Sequence, residues 1–144
     1  MKPILSGSKV TKRFGGLHAL EDFDFSLAEG ELLGLIGPNG AGKTTLFNCI
    51  SGLYPTTSGE VEFEGSKITH LKAYQISRMG IARTFQIPRP FANMTVLENV
   101  TVGALACARS KEVEEVVVHC LKFVGLENKK DILAKSLTFH EKRM

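Results

Sequence analysis

The sequence predicts an α/β fold: an antiparallel β part, then a strand, a glycine-rich loop and a helix, then a mostly helical stretch. Three observations carry this prediction. Apolar residues alternate in Phe23-Asp24-Phe25-Ser26-Leu27, between turn residues at Gly15-Gly16 and Glu29-Gly30, the pattern of half-buried strands. A short apolar run over 31–36 is followed at once by a glycine-rich loop and then by helical spacing. Beyond Pro88 and Pro90, which break regular structure, apolar positions recur with a helical period.

Taken in order, residues 4–30 read as an antiparallel sheet. The run Glu31-Leu32-Leu33-Gly34-Leu35-Ile36 suits a strand buried on both faces. Thr44 to Ile50 reads as a helix with Leu46, Phe47 and Ile50 on its apolar face, stopping near Gly52. Pro55 and Gly59 bracket a turn, and Val61 and Phe63 alternate with Glu60, Glu62 and Glu64 as in a half-exposed strand. Leu71 to Met79 looks like a short helix ended by Gly80, and Ile81 to Phe85 returns to strand character. Thr95 with Glu98 three residues on has capping-box spacing. Val113, Val116, Val117, Cys120, Leu121 and Val124 form one face of a further helix that Gly125 ends.

Composition narrows the class. Of 144 residues 43% are hydrophobic and 23% charged, with a net charge of +3, the balance of a globular chain and not of a disordered or collagenous one. Basic residues are scattered among acids, which gives no footprint for nucleic acid. No apolar run approaches the roughly 18–20 residues of a membrane span, and Met1 to Gly7 lacks the apolar core of a signal peptide. Neither a membrane span nor export is expected. Cys49, Cys107 and Cys120 lie far apart without metal spacing, so they read as reduced, core-facing thiols of a cytoplasmic protein.

Gly37-Pro38-Asn39-Gly40-Ala41-Gly42-Lys43-Thr44 fits G-x-x-x-x-G-K-[ST], the phosphate-binding loop, between a predicted strand and a predicted helix. The chemistry needs each part. Glycines let successive N–H groups converge on phosphate oxygens, and the helix N-terminus adds about half a positive charge beneath them. Lys43 can reach the β and γ phosphates, the Thr44 hydroxyl can ligand Mg²⁺, and Thr45 adds a second hydroxyl. A bare glycine turn between strand and helix is the plain alternative.

With the segments around it, the loop resembles the ATP-binding subunits of ABC transporters, a P-loop NTPase fold. Ser51-Gly52-Leu53-Tyr54-Pro55-Thr56-Thr57-Ser58-Gly59-Glu60 and Arg83-Thr84-Phe85-Gln86 follow in that family's order. Arg83 to Phe91 and Met94-Thr95-Val96-Leu97-Glu98-Asn99-Val100 are similar to the importers of branched-chain amino acids in particular. The resemblance implies a nucleotide-binding core over 1–87 and a helical subdomain over 88–144. It implies that Phe14, in Lys12-Arg13-Phe14-Gly15-Gly16, stacks on adenine, and that Gln86 touches Mg²⁺ and the attacking water. ATP and Mg²⁺ are the implied cofactors. Phe91, Met94 and Val96 become candidates for contact with the membrane-spanning partner, packing within the helical part being the other role open to them.

The implied partners are transmembrane permease subunits and a second ATP-binding subunit in a head-to-tail dimer, at the cytoplasmic face of the inner membrane. Ser136-Leu137-Thr138-Phe139-His140-Glu141 falls where the family carries Leu-Ser-Gly-Gly-Gln, with Phe139 and His140 in place of the two glycines. Bulky residues there obstruct backbone approach to a γ-phosphate, and an ordinary helix start is the alternative reading. The family's apolar strand ending in Asp-Glu does not occur within the 144 residues, so the chain by itself is expected not to hydrolyse ATP and to be prone to association. A truncated, non-catalytic nucleotide-binding module acting through a partner subunit is the second reading. An ABC ATPase of soluble type is the third, disfavoured because such proteins usually carry two domains or long insertions.

Overall fold

In a computed structural model, which describes residues 2–107 and 112–144, the alternation ahead of Gly30 becomes a long hairpin. Strands β1 (Leu5–Phe14) and β2 (Leu17–Leu27) pair antiparallel across Gly15 and Gly16, in a register that sets Leu5 against Leu27 and Phe14 against Leu17. Strand β3 (Ser58–Phe63) pairs with the other edge of β1, and the two-residue β4 (Ser66–Lys67) completes an antiparallel sheet of order β2-β1-β3-β4. The chain forms two compact units, Met1–Ala82 and Arg83–Met144.

In the first unit, helix α1 (Lys43–Ile50) lays Leu46, Cys49 and Ile50 against Val10, Val61, Ile68 and Ile76. Burying side chains of this size contributes roughly 1.5–3 kcal/mol each. The short helix α2 (Ala73–Arg78) contributes Ile76. Thr11 is buried too, and its hydroxyl is satisfied by the amide and carboxylate of Asp22 across the hairpin, at 3.0 and 3.2 Å. Sheet and loop approach closely at Gly59, where φ is +81° and an added Cβ would stand 2.1 Å from the Lys9 carbonyl oxygen. Only glycine fits there.

Three expectations are corrected in this unit and at its edge. Residues 31–36 form no strand: Leu32 is 99% and Ile36 96% exposed, and among the described residues no strand pairs with them. The apolar run is real, but a strand needs a hydrogen-bonded neighbour to hold its N–H and C=O groups, and sequence does not show whether one is at hand. Ile81 to Phe85 is irregular for the same reason. On α1 the buried face is Leu46, Cys49 and Ile50, with Phe47 exposed, because i, i+3, i+4 spacing selects Cys49 over Phe47.

The second unit is built on helices α3 (Val96–Cys107) and α4 (Val113–Phe123). The capping box opens α3 as its spacing predicts: the Thr95 amide donates to Glu98 Oε2 at 2.7 Å, and the Glu98 amide to Thr95 Oγ1 at 3.1 Å. Residues 130–135 return alongside, with backbone bonds from Val96 to Ile132, Leu97 to Lys130 and Ala134 to Met94. Val117 and Leu121 of α4 pack with Val96, Ala104 and Leu126. The predicted α4 face narrows to Val113, Val117, Leu121 and Val124, while Val116 and Cys120 are exposed. The core-facing reading of the cysteines thus holds for Cys49 and fails for Cys120, and the side chain of Cys107 lies outside the described residues. Val96 is 4% exposed and belongs to this core, so it is not available to a partner.

Candidate nucleotide-phosphate site

The phosphate loop joins the irregular segment 31–36 to α1. Gly40 and Gly42 take φ of +86° and +80°, and the Ala41 amide closes a turn on the Pro38 carbonyl at 3.3 Å. Gly42 is the residue that caps α1, and no side chain bonds to the helix N-terminus there. The first amides of a helix have no partners within it, and an end without a side-chain cap directs them, with the positive end of the helix dipole, at whatever anion approaches. An added Cβ on Gly42 would lie 2.3 Å from the Ala19 carbonyl oxygen, so the loop is seated directly against β2.

Lys43 Nζ donates to the carbonyls of Gly37 and Pro38 at 2.6 and 2.7 Å, which lays the side chain back along the loop. An ammonium group has three protons, and these bonds use two. Thr44 is exposed and Thr45 half-buried on the first turn of α1, while Gly37, Pro38, Asn39, Gly40 and Ala41 are exposed. Backbone amides, a lysine and two hydroxyls on a turn shaped by left-handed glycines fit a polyphosphate. Mg²⁺ keeps several waters and binds largely through substrate phosphates, and a hydroxyl such as Thr44 Oγ1 at the start of the helix fits one place in such a shell. Among the described residues no group of three or more His, Cys, Asp or Glu side chains is placed to hold a metal ion.

Phe14 stands at the end of β1, 42% exposed. Its ring meets Tyr54 edge-on, with centroids 5.3 Å apart and planes at 80°, and Lys12 Nζ lies 4.9 Å from its centroid. Tyr54 and Lys12 carry no signal of their own in the sequence, since a pairing forty positions apart has no local period. Gln86 is exposed on the irregular stretch that begins the second unit, and the loop belongs to the first. Cys49, on the buried face of α1, has its thiol pushed up by burial, with Lys12 acting weakly in the opposite sense.

In the region that resembles the family signature, Thr138 and Glu141 form a second reciprocal cap. The Thr138 amide and hydroxyl each donate to Glu141 Oε2 at 2.9 Å, and the Glu141 amide returns to Thr138 Oγ1 at 3.3 Å. Lys129 donates to the other carboxylate oxygen. Phe139 and His140 are exposed on the turn that this cap begins. It is the geometry of an ordinary helix start.

A glycine-shaped phosphate loop that opens a helix against an antiparallel sheet is the arrangement of an ATP-binding cassette, and the family comparison agrees. The ABC transporter family model matches residues 20–143, and the chain belongs to that family. It is 39% identical to the probable branched-chain amino acid transport ATP-binding protein LivG of Archaeoglobus fulgidus, over 94% of this chain and 58% of that one. It is 45% identical to the high-affinity branched-chain amino acid transport ATP-binding protein BraF of Pseudomonas aeruginosa, over 71% of this chain and 40% of that one. The crystal structure of the ADP conformation of MJ1267, an ATP-binding cassette of an ABC transporter, superposes with a TM-score of 0.82 at 32% identity, covering 99% of this chain and 61% of its own. The chain thus spans about half the length of the curated relatives it matches. No described helix is long and apolar enough to cross a membrane.

Proposed function

We propose that the chain provides the nucleotide-binding part of an importer ATPase subunit for branched-chain amino acids, coupling MgATP binding to solute uptake. The observation that carries this is the start of α1, uncapped by any side chain, shaped by Gly40 and Gly42 and flanked by Lys43. In this reading residues 1–87 form the nucleotide-binding core and 88–144 the helical subdomain. The loop Gly37–Thr45 grips the phosphates, Thr44 and Gln86 serve Mg²⁺, and Phe14 stacks on adenine. Mg²⁺ supplies charge neutralisation between the phosphates, while the loop amides and Lys43 orient them.

The names of the two relatives support the amino-acid assignment, and the resemblance in residues 83–100 points the same way. Transmembrane permease subunits and a second ATP-binding subunit are the partners in this reading. Phe91 is exposed and Met94 half-exposed where the permease contact is expected.

Calorimetry tests the central role. Lys43→Ala is expected to weaken MgATP binding about tenfold or more, the worth of a charge-assisted hydrogen-bonding group on phosphate. An unchanged affinity removes Lys43 from the site.

A further inference from the structure

We propose that Tyr54 and Lys12 are positioning residues for the nucleotide base: they hold the Phe14 ring at a set angle and so decide how well an adenine stacks on it. The proposal rests on the reading of Phe14 as the base contact and names two residues that act through it.

Four observations converge. First, the ring of Tyr54 abuts that of Phe14 at 80°, the edge-to-face arrangement that aromatic quadrupoles favour. Second, Lys12 Nζ lies over both rings, 4.9 Å from the Phe14 centroid and 5.9 Å from that of Tyr54, and is itself tethered by a 2.7 Å bond to the Pro55 carbonyl. Third, the segment carrying Tyr54 is tied on both sides. The amides of Leu53 and Tyr54 donate to the Asn48 carbonyl of α1 at 2.9 and 3.1 Å. The Thr57 amide donates to Thr11, and the Arg13 amide to Thr57 Oγ1, at 2.8 and 3.0 Å on β1.

Fourth, the aromatic corner lies at a suitable place relative to the phosphate loop. Gly42 touches β2 at Ala19, two residues from Leu17, which pairs with Phe14. Leu17 and Ala19 are about 7 Å apart along the strand, so the aromatic corner and the phosphate loop are seated on neighbouring stretches of the hairpin. The same helix, α1, therefore begins at the phosphate grip and ends by holding the residue that braces the base platform. A stacking ring free to rotate would lose orientation on each encounter, and a ring wedged by a neighbour keeps it.

Calorimetry on the 144-residue chain with two probes, MgATP and inorganic tripolyphosphate with magnesium, separates base from phosphate. Tyr54→Ala is expected to weaken MgATP about three- to tenfold and to leave tripolyphosphate unchanged, with Tyr54→Phe close to the original. Lys12→Met shifts MgATP in the same direction, again without changing tripolyphosphate. In a Phe14→Ala background Tyr54→Ala then has no further effect, a result that a merely structural role does not produce.

The proposal is overturned if Tyr54→Ala weakens both probes equally, weakens neither, or still weakens MgATP when Phe14 is already alanine. If Phe14→Ala weakens MgATP and Tyr54→Ala does not, the positioning role alone fails. If the unsubstituted chain takes up neither probe, or Phe14→Ala leaves MgATP unchanged, the nucleotide reading beneath it fails and carries it down.

Discussion

Glu141 accepts hydrogen bonds from Lys129 and from both the amide and the hydroxyl of Thr138. Lys129 first, and then Thr138, hold its carboxyl down to about 2 from an ordinary value of 4.5. Because the folded value is depressed, the contact adds stability that is fully present above about pH 4.5 and is lost as the pH falls towards 2. Glu141→Gln is therefore expected to lower stability near neutrality and to flatten its dependence on acid between those limits, as followed by urea unfolding at several pH values. An unchanged acid slope removes the carboxylate from that role. Thr138 stands in the stretch that the resemblance aligns with the family signature, and its hydroxyl donates to a carboxylate. A hydroxyl so engaged is less available to an anion, and the neighbouring negative charge opposes one.

At the scale of elements, the caps carry most of the local information. Thr95 and Glu98 begin α3 through two reciprocal bonds, so Thr95→Ala is expected to cost about 1 kcal/mol, read as a shift in the urea midpoint without a change in slope. The hairpin, the start and stop of α1 and the end of α4 at Gly125 were readable for the same reason, because each depends on residues within a few positions of one another. So was the phosphate loop, whose whole geometry is contained in eight consecutive residues. The segments 31–36 and 81–85 were not, since strand formation depends on a neighbour that local sequence does not name. Tyr54 escaped notice because its partner Phe14 is distant in sequence and near only through the β1 register and the turn after α1. Phe47 and Cys120 show a finer limit: an apolar residue one position off the stripe looks much like one on it.

For the molecule as a whole, the exposed run Leu32, Leu33 and Ile36 sets the solution behaviour. Leu33 among them lines an apolar groove of about 320 Å³, together with Phe23, Phe25, Leu35, Leu46 and Phe47. An apolar strip with unpaired backbone groups favours pairing with another chain. The 144-residue chain is expected to associate with rising concentration, and Leu32→Lys with Ile36→Lys to return it towards monomer in sedimentation velocity. A wild-type chain that stays monomeric throughout the range defeats this expectation.

The amide of Asn99 reaches out of α3 to the carbonyls of Phe91, Met94 and Thr95, and its Oδ1 accepts from the Phe91 amide. One buttressed side chain thereby sets the contour of the whole bend on which Phe91 stands. Any surface that comes up against that bend meets a finished shape: little chain entropy remains to be lost on contact, and the speed of engagement follows from how well the two bodies are aimed.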